Sequence, residues 1–288
     1  MNESTPWRPR RGRLLSTGLV AVGVLSLTAV GPASASSISQ GQMIVYRPGE
    51  KVHESQLVDL GAPADLGGTV LEGDPRISAR IDYAKGDVLA GVFQATRGKV
   101  RIHFPFSEHA TILNGEVELT DQWGNNAVLF PGDSYFITQG SIILWDVRAQ
   151  AVQKTFFNRT QAAGSPAPMV VYKQRQEVPH AELVDLGPPE GLGGTVLYGD
   201  PKISARIDYQ SGPATAGVFQ ATRGDVRVHF PFTEHATVIE GSVSLTDSTG
   251  RSERLEPGDT YLITQDSSIL WQVSKSRVQK SFLNVAEP

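Results

Sequence analysis

The sequence predicts an all-β protein of two tandem barrels of antiparallel strands behind a short leader. Three observations predict it. The 288-residue chain repeats itself once, in the same order and without a gap. Each copy is a series of short stretches rich in β-branched and aromatic residues, alternating with period two and separated by Gly, Pro, Asp and Asn turns. Neither copy carries a convincing amphipathic helix, which leaves a sandwich or barrel as the way to bury one face of every strand.

The leader comes first. Arg8, Arg10, Arg11 and Arg13 precede an apolar run from Leu14 to Val30, and Ala33-Ser-Ala35 follows. That is the pattern of a signal peptide over residues 1–35, cleaved after Ala35, and it predicts a secreted or periplasmic protein. No second long apolar segment follows, so no membrane association is expected after cleavage. The chain carries a net charge of −4, and the leader removes four arginines and one glutamate, so the remainder is more acidic still. An acidic chain without basic runs is a poor nucleic-acid binder. There is no cysteine, which excludes disulfides and thiolate chemistry and leaves stability to the apolar core.

The duplication sets the domains. ARIDY at Ala79 recurs at Ala205, GVFQATRG at Gly91 recurs at Gly217, and PGDSYFITQ at Pro131 recurs as PGDTYLITQ at Pro257. Every pair is offset by 126 residues. A period this long with two copies is a duplicated domain rather than a solenoid. The first unit is assigned to 36–160 and the second to 170–288. The small, Pro-containing stretch at 161–169 joins them. Within a unit, VRVHF at Val226, SVSLT at Ser242, TYLIT at Thr260 and ILWQV at Ile269 read as strands, with turns at Asp247 and Glu256.

Glu108 stands seven residues before Gly115, Glu234 seven before Gly241, and each pair is followed by an alternating strand, a P-G-D turn and another strand. This resembles the cupin superfamily over both halves. The wording, from GVFQAT through EHATVIEGSVSLTD to PGDTYLITQ and LWQV, is most similar to the EutQ-like cupins, the cupin_3 or DUF861 group. That group includes the cupin domain of ureidoglycine aminohydrolases. The resemblance implies RmlC-like jelly-roll barrels and, in typical cupins, a metal held by three histidines and one glutamate. Matched to that pattern, the second histidine falls on His103 and His229, and the glutamate on Glu108 and Glu234. The first histidine is replaced by Arg101 and Arg227, and the last by Ile143 and Ile269.

Isoleucine has no lone pair to offer, and arginine is a permanent cation without an acceptor. A catalytic metal needs about three protein ligands. No metal and no cofactor are therefore expected. His109 and His235 directly follow the glutamates and point to the opposite, interface-facing side. The Arg101/His103/Glu108 and Arg227/His229/Glu234 sets have two readings, which stay open: a buried structural network in which Arg101 pairs with Glu108, or an anion site in which a guanidinium holds a carboxylate. Trp145 and Trp271 are expected in the barrel core, Phe104 and Phe106 at a barrel mouth. Lys154 and Lys280 read as ordinary surface lysines. Asn158-Arg-Thr160 has the form of a glycosylation acceptor. The leading function is small-molecule binding, most consistent with a carboxylate. The alternatives are an enzyme of hydrolase, aminohydrolase or isomerase type, and an assembly protein, with a homo-oligomer left open.

Overall fold

The computed structural model describes residues 41–162 and 164–287, so the predicted signal peptide lies outside the described residues. The regular elements of the described residues are strands and four short 3-10 turns. Strand β1 spans Met43–Tyr46. The first half then runs through β2 (Val58–Gly61), β3 (Thr69–Gly73), β4 (Ile77–Lys85), β5 (Val88–His103) and β6 (Ser107–Asn114). It continues with β7 (Val117–Asp121), β8 (Asn126–Leu129), β9 (Ser134–Ile137) and β10 (Ile142–Arg159). After β11 (Val170–Tyr172), the second half repeats the plan. Its strands are β12 (Val184–Gly187), β13 (Gly194–Gly199), β14 (Ile203–Ser211), β15 (Ala214–His229), β16 (Thr233–Gly241), β17 (Val243–Thr246), β18 (Ser252–Leu255), β19 (Thr260–Ile263) and β20 (Ser268–Val285).

These strands form two ten-stranded antiparallel sheets, one for each barrel. The first strand of each half crosses over. Met43–Tyr46 pairs with Ile263–Thr260 of the second half, and Val170–Tyr172 pairs with Phe136–Ser134 of the first. The sequence-based division puts β1 in the first unit and β11 in the second. By backbone pairing each belongs to the other barrel.

Alternation lets the long strands serve two cores at once. Along β5, Val88, Ala90 and Val92 enter a cluster with Leu113, Phe136 and Phe157 and with Ala214, Val218 and Leu283 of the other half. Leu89, Phe93 and Ala95 point the other way, into the first barrel, with Tyr135, Ile143 and Trp145. The second barrel is filled by the matching set, including Tyr261, Ile269 and Trp271. Expected in their cores, both tryptophans are there. The E-x6-G spacing has a backbone cause: Gly115 has φ +80°, and a Cβ there would come 2.2 Å from the Ala151 carbonyl oxygen.

The seam between the barrels is polar at its centre. His109 and His235 are fully buried, as the alternation after each glutamate predicted, and their Nδ1 atoms lie 2.8 Å apart. His109 Nε2 reaches Ser281 Oγ at 3.0 Å, and His235 Nε2 reaches Thr155 Oγ1 at 3.1 Å. Beside them, Thr111 and Thr237 meet at 2.6 Å.

Candidate functional site

The interior of each barrel is built on one lysine. Lys154 sits in β10 beside Phe93 on one side and Ile112 on the other. Its neighbours Val152 and Phe156 are barrel core, so the alternation that buries them buries the lysine too. Glu108, on β6, is brought opposite Asn158 and Ile137, and Tyr135 opposite Ala110. The three side chains close a triad. Lys154 Nζ donates to Glu108 Oε1 and, at 2.8 Å, to Tyr135 Oη. Tyr135 Oη donates to Glu108 Oε1 at 2.6 Å. The second barrel repeats it: Lys280 Nζ donates to Glu234 Oε1 and to Tyr261 Oη at 2.7 Å, and Tyr261 donates to Glu234 at 2.5 Å.

Aromatic rings wall the ammonium. Lys154 Nζ lies 5.3 Å from the Phe93 centroid, 5.4 Å from Tyr135 and 5.3 Å from Trp145. Lys280 Nζ lies 5.1 Å from Phe219, 5.4 Å from Tyr261 and 4.9 Å from Trp271. Such faces attract a cation that has lost its water. Lys154 is 5% exposed and Glu108 2%. Burial pulls both lysines below the usual lysine range, and the adjacent carboxylate opposes that pull. Burial also holds the Tyr135 and Tyr261 hydroxyls well above theirs, with the carboxylate charge adding to it. The arrangement is an ammonium–carboxylate pair bridged by a neutral phenol.

Two buried polar atoms near each triad have no partner. The indole Nε1 of Trp145 and of Trp271 makes no hydrogen bond, and neither does Oδ1 of Asn158 or Asn284. A buried donor left unpaired costs free energy.

The structure corrects the placement of four of the six residues singled out from sequence. Arg101 and His103 are exposed, as are Arg227 and His229. Only Glu108 and Glu234 lie inside. The expected Arg101–Glu108 pair is not formed, because Lys154 takes the carboxylate. His229 instead faces Asp266, 3.8 Å away on the surface. Cross-strand register gives the reason. Ile143 stands opposite Ile102 and Trp145 opposite Val100, so Val100 and Ile102 share the inward side. Counting back from Glu108 runs through the irregular turn Phe104–Phe106, where period two is lost and the parity inverts. The reading of Lys154 and Lys280 as surface lysines is likewise corrected. A signal was available: each stands between apolar residues two positions away on either side, Val152 and Phe156 or Val278 and Phe282, and it recurs at the same place in both copies. The Asn158 acceptor pattern falls on a buried strand residue.

A family-type metal does not fit these residues. Among the described residues no group of three or more His, Asp or Glu side chains is placed to hold one. The carboxylate that would ligate a cation already holds an ammonium, and Ile143 and Ile269 are apolar core residues with no donor to offer. A surface hollow of about 170 Å³, lined by Lys173, Glu177, Glu182 and Arg206 among others, shares no residue with either triad. Its Arg206 is engaged by Glu182 and Asp208.

Comparison with known proteins agrees with this architecture. The family model of the EutQ-like cupin domain matches residues 83–156 and again 209–282, together just over half the chain. Among solved structures, a DUF861-family protein of unknown function from Pseudomonas syringae pv. tomato superposes with a TM-score of 0.66 at 19% identity. That match covers 85% of this chain and 100% of that one. A cupin 2 conserved barrel protein from Leptotrichia buccalis matches with a TM-score of 0.48 at 11% identity, over 82% of this chain and 98% of that one. No curated protein sequence matches. The chain belongs to the EutQ-like cupin family, with one such domain in each half.

Proposed function

We propose that this is an exported two-barrel binding protein that takes a small carboxylate, without a metal, inside its barrels. Lys154 with Trp145 forms the anion-holding pair in the first barrel, and Lys280 with Trp271 in the second. One observation carries the reading: in both barrels an unpartnered indole N–H is buried beside a buried ammonium. The ammonium has three N–H bonds, and the triad uses two of them. One lysine proton and one indole proton are thus free for an acceptor such as a carboxylate oxygen. Arg101, His103, Arg227 and His229, which are exposed, take no part in holding the anion. A thermal-shift screen of small acids, sugars and ureides tests the reading. Carboxylates should raise the melting temperature, and the double variant Lys154→Met/Lys280→Met should abolish the rise. Stabilisation by neutral sugars alone would overturn it.

The triad also favours a second reading, acid–base catalysis. A lysine with a lowered pKa beside a carboxylate and a phenol can move a proton within one buried cluster. Turnover of a member of the same panel, lost in Glu234→Gln, would establish that reading over simple binding.

A further inference from the structure

The two barrels carry the same triad, so the differences around it are informative. In the first barrel Leu60, Leu66 and Ile81 are half-buried and pack on the cluster holding Tyr135, Ile143 and Trp145. Their counterparts in the second barrel, Leu186, Leu192 and Ile207, are 39%, 58% and 51% exposed. The side chains are identical, so the difference lies in what covers them. Three substitutions accompany it. In the first half the 3-10 turn Pro63–Leu66 is pinned by the Asp65 carboxylate, which accepts from the Ala62 amide at 3.1 Å. In the second half these positions are Gly191 and Pro188, so both the acceptor and the N–H are gone. Leu89, which fills the first cluster, is Thr215 in the second.

Strand pairing puts this apolar rim next to the second triad. Ile207 pairs with Gly217, two residues from the Phe219 ring that faces Lys280. Leu192 leads into β13, whose Val196 pairs with Val226, and Val226 stands opposite Trp271. A charged donor thus lies inside, and exposed leucine and isoleucine stand outside it. We propose that, of the two anion sites, the second barrel's is the one that admits a ligand with an apolar tail. Its ligand is a carboxylate on an apolar body, the head at Lys280 and Trp271 and the body against Leu186, Leu192 and Ile207. This rests on the anion-site reading above. A polyhydroxylated or multiply charged acid would set polar groups against that rim and leave them unsatisfied.

Calorimetry on the whole chain tests it, with octanoate and 3-phenylpropanoate against acetate and malate, and native mass spectrometry for stoichiometry. One octanoate or 3-phenylpropanoate per chain is expected, with affinity rising about tenfold for every two methylenes that reach the rim. Leu192→Ser/Ile207→Ser should weaken octanoate binding about tenfold or more and leave acetate unchanged. Leu66→Ser/Ile81→Ser in the first barrel should change neither. Two equal sites per chain, tighter binding of malate, or a dimer lost in the second-barrel serine variant would overturn the proposal. Binding that needs Lys280 but ignores the tail would sink only this inference. Binding of none of the acids, or binding untouched by Lys280→Met in a variant with native circular dichroism, would sink the anion site itself.

Discussion

Replacing Lys280 with methionine strands Glu234 in the barrel with only the Tyr261 hydroxyl to satisfy it. Breaking one side of a buried ion pair costs about 3–5 kcal/mol, whereas replacing both sides is often close to neutral. Lys280→Met should therefore cost about that much in denaturant unfolding, and Lys280→Met/Glu234→Gln should recover most of it. A single-variant cost below about 1 kcal/mol would contradict a dry, paired site. The His109–His235 contact makes a second prediction at this scale. Two neutral imidazoles 2.8 Å apart can share one hydrogen bond, each using its other nitrogen on a hydroxyl. Burial pushes His109 down to about 3, and burial, then the neighbouring His109 and Lys154, holds His235 well below its usual value. Both folded values lie below the unfolded value of about 6.5. Above that pH both states are neutral and nothing is lost. As the pH falls from about 6.5 toward 3, the unfolded chain takes up protons that the folded one refuses, and stability declines. Urea midpoints across that range should show the decline, and His109→Gln/His235→Gln should flatten it.

At the level of strands, the sequence was legible wherever period two ran unbroken. The strand from Glu108 to Asn114, the inward Trp145 and the seam-facing His109 all follow from alternation within one element. Legibility failed where an element ended. Arg101 and His103 were placed inside by matching the family motif, whose histidine and glutamate positions here lie on either side of the Phe104–Phe106 turn, and one residue of lost parity moves a whole strand face from core to solvent. Lys154 was misread because charge outweighed its neighbours. Val152 and Phe156 flank it at the same parity, and a lysine between them can only follow them inward. The exchange of β1 and β11 leaves no trace in local pattern, since a strand's choice of partner depends on contacts far away in sequence. The tight turn before β7 was legible as a motif and has a measurable consequence. Gly115→Ala forces a side chain into left-handed backbone against the Ala151 carbonyl. A loss of about 2 kcal/mol or more in thermal or urea unfolding is expected, and the same at Gly241.

For the molecule as a whole, the two halves unfold as one. Val88 to Val92 and Ala214 to Val218 share a single apolar cluster, and each sheet is completed by a strand of the other half. Calorimetry should give one transition, with no separate melting of a lone barrel. The reciprocal loan of β1 and β11 has a further consequence. Each half offers the other what it needs itself, so two loose copies of one half could trade the same strand about a twofold axis. Residues 169–288 expressed alone should self-associate into a closed pair, with Val170–Tyr172 of one copy seated on Thr260–Ile263 of its mate. The tandem gene would then be a covalent version of that couple, free to let one cup drift while the other kept its trade.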